Sequence, residues 1–241
     1  MSDICIVVPT YNEAENVPKL VKELEDILRK EEFKIIIIDD DSPDGTAEIA
    51  EKLNMQYGNI VIHRRHGKLG IGSAIRDGMK IALSSPDTKF IVTMDADFSH
   101  DPKDVPRLLR EAGRLDLVQG SRYVRGGKIV GWGVSRKMIS YGANLLCRAL
   151  LRTHLGEHTT YYRVYSRKCA EIVAKNVHHD GYEFAIASIL TAKDHDVKIR
   201  EVPITFVDRT GGKSKLKSLD ILKWFLFISK TFLTRSLNKL K

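Results

Sequence analysis

The sequence predicts an α/β fold with a mostly parallel central sheet and helices on both of its faces. Three features carry that expectation. Short runs of consecutive Ile and Val, such as Ile35–Ile38, are unbroken by polar residues, as in strands buried on both sides. Segments with apolar residues at helical spacing separate those runs. Three of the runs end in a polar cluster, and ligands of parallel sheets collect at the carboxyl ends of the strands.

The elements follow in order. Ile4–Val8 is an apolar, β-branched run ending at Pro9 and leading into Thr10-Tyr11-Asn12-Glu13. Glu15–Lys30 carries Val17, Leu20, Val21, Leu24, Ile27 and Leu28 at helical spacing. Ile35–Ile38 is a second strand, closed by Asp39-Asp40-Asp41-Ser42-Pro43-Asp44-Gly45. Thr46–Tyr57 is helical, Ile60–Arg64 a strand, Ile71–Leu83 a helix, and Phe90–Met94 a strand that runs into Asp95-Ala96-Asp97. The three polar clusters should meet in one crevice. The second half is less regular: a short strand at Leu117–Gln119, a glycine-rich basic loop at Arg125–Gly133, a helix from Arg136 to about Leu151, and a strand pattern over Val197–Phe206. Thr210–Lys217 is rich in Gly, Lys and Ser, and Lys217–Lys241 reads as an amphipathic helix. The expected division is a catalytic domain over 1–216 and that helix over 217–241.

With 241 residues, a substantial core is within reach of one domain. The net charge of +8 favours anionic partners without choosing among them. Cys5, Cys147 and Cys169 have neither disulfide-framework nor zinc spacing, which fits a reducing compartment. No basic leader precedes a long apolar run, and no stretch approaches the ~20 apolar residues that span a bilayer. The eight histidines show no HExxH pattern and read as surface or core residues. A GxSxG elbow and a P-loop are both absent.

Asp95 and Asp97 are the sharpest chemical signal. Two carboxylates one residue apart at a strand end can share a hard divalent cation, Mg2+ or Mn2+, with substrate phosphates. Asp-x-Asp alone is as often a solvated turn. Its place after a buried strand, beside two similar clusters, favours function. Asp39 and Asp40 would repel one another unless cations or sugar hydroxyls compensate. Ser42 or Asp44 can cap the next helix. Glu13 and Tyr11 suit either a surface loop or a nucleoside contact. Arg122, Arg136 and Arg209 lie beside Gly, Ser or turn segments, where the guanidinium fork can grip phosphate. Lys213 and Lys215 lie in Gly211-Gly212-Lys213-Ser214-Lys215.

Taken in order, these motifs resemble the family 2 glycosyltransferases of GT-A fold, and among them the dolichyl-phosphate mannose synthases. The matching residues are Val8–Glu13, Ile38–Thr46, Gly67–Gly70, Met94–His100, Gly120–Tyr123, Gly131-Trp132, Arg136-Lys137, Ile139-Ser140, Glu201–Ile204 and Asp208-Arg209. They cover about residues 3–217. The resemblance implies that Pro9, Tyr11, Glu13, Ile38 and Asp40 hold the nucleoside. It implies that Asp95, Ala96 and Asp97 bind nucleotide and metal, with Asp97 the direct ligand. Ser99 stands where some relatives carry a metal-binding Gln and is counted with the metal set. Arg122, Arg136 and Ser140 would form the acceptor-phosphate site, and Arg209 and Lys215 would close over the donor diphosphate.

The implied reaction is inverting transfer of mannose from GDP-mannose to dolichyl or another polyprenyl phosphate. The acceptor phosphate is already ionised, so positioning two anions matters more than a general base. The implied setting is a membrane surface with the catalytic domain in the cytoplasm. That is the cytosolic face of the endoplasmic reticulum in a eukaryote, or of the plasma membrane in a prokaryote. Some relatives add transmembrane helices and others use a small membrane-anchoring subunit. Two departures bear on specificity. Glu157-His158-Thr159 replaces the family's Asp-x-Thr, and Ala185 and Ala187 replace Gln and Glu after Gly181-Tyr182-Glu183-Phe184. The alternatives are the same chemistry with another donor such as UDP-glucose, or a basic non-catalytic binding module. A nucleic-acid partner is not expected, because basic residues with interleaved aromatics are missing. The last helix suits either a membrane interface, with snorkelling lysines, or simple packing on the domain.

Overall fold

The computed structural model describes residues 3–208 and 218–237. Its seven-stranded sheet has the order β3-β2-β1-β4-β7-β5-β8. The strands are β1 (Ile4–Thr10), β2 (Phe33–Asp39), β3 (Ile60–Arg64), β4 (Phe90–Thr93), β5 (Leu117–Ser121), β7 (Arg163–Ser166) and β8 (Ile199–Pro203). All the pairings are parallel except those of β7, which runs antiparallel to both β4 and β5. A second sheet of two parallel strands joins β6 (Lys128–Val130) to β9 (Thr205–Val207). The predicted strand over Val197–Phe206 is thus two strands, split so that β8 closes the main sheet and β9 leaves it.

Helices α1 (Val17–Leu28), α2 (Thr46–Tyr57), α3 (Ile71–Leu83) and α4 (Val105–Ala112) follow the early strands. Beyond them lie α5 (Val134–Leu151), α6 (Arg167–Asn176), α7 (Phe184–Asp194) and α8 (Ser218–Leu237). Alternate residues of the Ile/Val strands enter opposite cores, as the two-residue repeat of a strand requires. Ile35 and Ile37 pack with α1 residues Leu20 and Leu24, whereas Ile36 and Ile38 pack with α3 residues Ile75 and Met79. Gly78 lets α3 lie close on β1: a Cβ there would meet Val7 Cγ1 at 2.3 Å. A third cluster joins α5 (Cys147, Leu151), α7 (Ile186, Leu190) and α8 (Ile228). The C-terminal helix therefore packs on the domain with one side, yet leaves Phe225, Leu226 and Leu233 exposed on the other. Among the described residues no helix is long and apolar enough to cross a membrane. All three cysteines are buried and free, and burial pushes the Cys147 and Cys169 thiols up to about 12.

Candidate active site

The loops after β1, β2 and β4 meet in a cleft of about 760 Å3 lined by Pro9, Tyr11, Glu13, Asp40, Asp95, Ala96, Asp97 and Arg122. Each of these three loops turns on a non-glycine residue in the left-handed region: Asn12 (φ 57°), Asp41 (φ 58°) and Phe98 (φ 59°). Such a conformation is tolerable for Asn and Asp but uncommon for an aromatic residue, so the surrounding structure must hold Phe98 there. A more open depression of about 1000 Å3, around Asp3, Lys89, Asp116 and Lys198, lies at the other ends of the parallel strands and contains none of these groups.

Both members of the acidic pair at the end of β2 have partners within the protein. The Asp39 carboxylate accepts hydrogen bonds from Thr10 Oγ1 (2.8 Å), Ser42 N (2.9 Å) and Ser42 Oγ (2.6 Å). Asp40 is ion-paired with the buried Arg65, whose Nε donates to Oδ1 at 2.6 Å. Burial nevertheless leaves the Asp40 carboxyl above its usual range, against the lowering effect of Arg65. Asn12 N–H donates to Ser42 Oγ at 3.0 Å, which ties the first loop to the second. Asp44, not Ser42, accepts from the first turn of α2 through Thr46 N. Lys68 places its ammonium 4.3 Å from the Tyr11 ring centroid, so one wall of the cleft pairs a flat aromatic face with a cation.

Gly70 shapes the same wall. Its φ is +101°, and a Cβ there would lie 2.3 Å from the Asp180 carbonyl. Gly70→Ala is therefore expected to destabilise the protein by about 1–3 kcal/mol in urea denaturation.

His100 governs the third loop. It is fully buried, stacks on Tyr162 at 4.8 Å, and accepts the Asp95 N–H at Nδ1 (3.1 Å). Burial depresses its pKa, so it is neutral and carries its proton on Nε2. Asp97 Oδ1 accepts the Ser99 N–H at 3.1 Å. Asp95 and Asp97 both face the cleft, while no group of three His, Cys, Asp or Glu among the described residues could cage a metal alone. That donor set fits Mg2+ or Mn2+ held by one or two carboxylates together with diphosphate oxygens.

Across the cleft, Arg122 is gripped by Glu157. Arg122 Nε donates to Oε2 at 2.7 Å, and Nη2 donates to Oε1 at 2.8 Å and to Thr159 Oγ1 at 2.8 Å. Burial raises the Glu157 carboxyl, but Arg122 and the Thr159 bonds outweigh it and hold the group below its usual range. Glu201 fixes the loop beneath by accepting Gly156 N (2.7 Å) and Glu157 N (2.9 Å). The guanidinium lies 5.1–5.4 Å from the ring centroids of Tyr123, Trp132 and Phe206. Arg136 lies 4.1 Å from the same Trp132 ring and pairs with Asp208 at 3.0 Å. Ser140 Oγ accepts the Tyr123 hydroxyl at 2.6 Å. Arg136 and Ser140 thus connect to Arg122 through Trp132 and Tyr123 but do not line the cleft.

Two expected site residues lie elsewhere. Ile38 is fully buried, because β2 is covered on both faces and this residue points to the α3 side, so its side chain does not reach a nucleoside. Ser99 is 3 % exposed, donates its main-chain N–H to Asp97 and is not among the residues that line the cleft, as a metal ligand would be. Arg209 and Lys215 fall outside the described residues. Sequence reasoning placed Glu157 and Thr159 in a segment bearing on specificity without giving them a role, and missed Arg65 and His100 as parts of the site and His178 and His179 as cleft-lining residues. For Glu157 and Thr159 the Glu-x-Thr pattern was the available signal.

The family model described as Glycosyl transferase family 2 matches residues 5–173. An undecaprenyl-phosphate mannosyltransferase of Micrococcus luteus is 36% identical over 214 residues, covering 88% of this chain and 87% of that one. A polyprenol monophosphomannose synthase of Mycolicibacterium smegmatis is 37% identical over 220 residues, covering 90% and 82%. A dolichol-phosphate mannosyltransferase of Pyrococcus furiosus is 35% identical over 228 residues, and the match spans 93% of this chain but 62% of that longer protein. Among solved structures, glucosyl-3-phosphoglycerate synthase from Mycobacterium tuberculosis, in complex with Mn2+, uridine-diphosphate and phosphoglyceric acid, aligns with a TM-score of 0.65. That alignment has 19% identity and covers 97% of this chain and 78% of that one, a likeness of fold.

Proposed function

The chain belongs to family 2 of the glycosyl transferases and has their GT-A fold, and from that premise we propose that it transfers mannose from GDP-mannose to a polyprenyl phosphate such as dolichyl phosphate. The observation that carries the reading is the meeting, in one cleft, of the Asp95/Asp97 pair and the Glu157-held Arg122. One wall suits a metal-bound diphosphate, the other an anionic acceptor.

Tyr11, Glu13 and Lys68 line the nucleoside end of the cleft. Asp97, with Asp95, would hold Mg2+ or Mn2+, which offsets charge on the departing diphosphate. His100 keeps the Asp95 main chain in place. Arg122 orients the acceptor phosphate so that one of its oxygens attacks the anomeric carbon. The new C–O bond forms as the bond to the β-phosphate oxygen breaks, with inversion and release of GDP. A phosphate monoester has its second pKa near 6, so the nucleophile is ionised at neutral pH and no base is needed. Bringing two anions together is the main barrier, and a preorganised arginine lowers it without reorganising at the moment of reaction. Arg209 and Lys215 are assigned to closure over the diphosphate. The enzyme acts at a membrane with its catalytic domain in the cytoplasm, alone or with a small anchoring subunit.

Arg136→Ala is expected to raise the KM for polyprenyl phosphate roughly tenfold while changing the KM for GDP-mannose less than about twofold. Steady-state kinetics with each substrate varied in turn would check it, and a loss confined to the donor would refute the two-wall division. The broader reading is tested by a panel of radiolabelled nucleotide sugars with dolichyl phosphate. Transfer from another sugar nucleotide, with none from GDP-mannose, would overturn it.

A further inference from the structure

We propose that Arg163 is a positive charge held beneath the cleft for the anions that enter it, favouring their binding through space without touching either substrate. The inference rests on the foregoing reading in one respect, that the cleft takes phosphates. It does not depend on the sugar or the lipid.

Arg163 is among the largest fully buried side chains, with 0 % exposed. Its Nη1 donates to the Tyr165 hydroxyl at 3.4 Å, while Nε and Nη2 have no hydrogen-bond partner among the described residues. Nε and Nη2 form the edge with which Arg122 grips Glu157. Two other guanidinia shielded from water each hold a carboxylate, Arg65 that of Asp40 and Arg122 that of Glu157. On Arg163 the same edge holds none.

The side chains that feel this charge do not offset it. Burial keeps Tyr161 and Tyr165 in the phenol form and depresses His158 to about 4. The residues paired with Arg163 across the sheet, Thr93 on β4 and Gln119 on β5, are uncharged. A guanidinium keeps its proton inside proteins, so the charge stays. An uncompensated buried charge lowers stability, and the chain nevertheless carries one here.

Its place explains why. Alternation along β7 sends Val164 to one core and sets Arg163 on the face of Tyr161 and Tyr165, whose core includes Phe184 of α7. Tyr161 and Asp95 line the cleft. Arg163 is in register with Thr93, which precedes Asp95 by two residues. Its backbone therefore lies two residues of extended chain, about 7 Å, below that part of the cleft floor. Pairing with β4 on one side and β5 on the other fixes it, so no reorganisation is needed when a ligand arrives. Two unit charges about 10 Å apart, at an effective dielectric of about 20, alter binding on the order of tenfold. The donor diphosphate and the acceptor phosphate bring the negative charge that the core beneath them lacks.

Calorimetric titration of the full chain with guanosine, GMP and GDP, without divalent ion, tests the proposal. Arg163→Met keeps the length of the side chain and removes its charge. It is expected to leave guanosine binding within about twofold of wild type, to weaken GDP about tenfold and GMP by less, and to raise the thermal midpoint by at least about 3 °C. Arg163→Lys keeps the charge and should bind GDP within about threefold of wild type. A purely structural role gives the opposite pattern, a lowered midpoint with all three ligands weakened alike. That pattern would overturn the proposal, as would undiminished GDP affinity in Arg163→Met or failure of that variant to fold. A parallel series of uridine, UMP and UDP separates this proposal from the donor reading. Wild type that binds UDP and not GDP overturns the donor alone, and the Arg163 comparison is then read on UDP. Wild type that binds neither diphosphate overturns both.

Discussion

Asp97→Ala is expected to reduce mannosyl transfer on the order of a thousandfold while leaving the fold intact. The carboxylate is half-buried in the cleft and accepts a main-chain bond from Ser99 N. Its proposed partner is a metal ion on the leaving diphosphate. Without that charge, the barrier rises by the several kcal/mol that electrostatic stabilisers contribute. The distinguishing measurement is donor binding with and without Mn2+. Wild type should bind GDP more tightly when the ion is added, and the variant should not respond. A variant that keeps both its activity and its metal response would remove Asp97 from the metal site.

Glu157→Gln should cost more stability than any other single change in the cleft, about 3–5 kcal/mol. The pair Arg122–Glu157 is shielded from water, with 7 % and 0 % of the two side chains exposed. Gln keeps the shape but leaves a buried guanidinium uncompensated, and an unpaired buried charge is far more costly than a missing pair. The pH dependence follows from the direction of the Glu157 shift. Its folded-state pKa lies below the unfolded value, so the pair's stabilisation is full above the unfolded pKa near 4.5 and is lost as pH falls through the folded pKa. Wild type should therefore weaken on acidification below about pH 4.5, and Glu157→Gln should lack that component. Arg122→Met/Glu157→Met should recover much of the lost stability but not activity, since no guanidinium then meets the acceptor. Urea denaturation of the single and double variants gives the coupling directly. A coupling near zero would mean that the two charges are independently solvated.

The first four strands and three helices were legible because each advertises one period. Thr46–Tyr57, Ile60–Arg64 and Ile71–Leu83 have the same limits in sequence and structure. β7 was not legible: Arg163-Val164-Tyr165-Ser166 offers no Ile/Val run, and its antiparallel placement between β4 and β5 is a tertiary matter. α7 escaped for the opposite reason. Phe184 to Leu190 is buried at every position, so no polar face marks the helical turn. In the site, the clusters on strand ends could be read because they sit beside their strands in the chain. The partners that set their charge could not. Arg65 reaches back to Asp40, Glu201 carries the loop that carries Glu157, and His100 acts through a main-chain N–H. Such contacts depend on where loops arrive rather than on residue type. Of the departures from the family pattern, Glu157 supplies a carboxylate as its counterpart does. Ala185 and Ala187 are simply absorbed into the core.

The antiparallel β7 and the edge strand β8 also divide the two walls of the cleft by sequence distance. On the donor wall the two β2 carboxylates find partners at short range, Arg65–Asp40 over 25 residues and Thr10–Asp39 over 29, whereas the Gly70 wall waits for Asp180 and the Asp95 loop for Tyr162. The acceptor wall reaches further, from 35 residues for Arg122–Glu157 to 45 for Gly156–Glu201 and 72 for Arg136–Asp208. Long closures form late, because chain entropy must be surrendered before their contacts reward it. A chain emerging from the ribosome can therefore pair Asp39 and Asp40 with Thr10 and Arg65 before Glu201 and Asp208, which hold Glu157 and Arg136, have been synthesised.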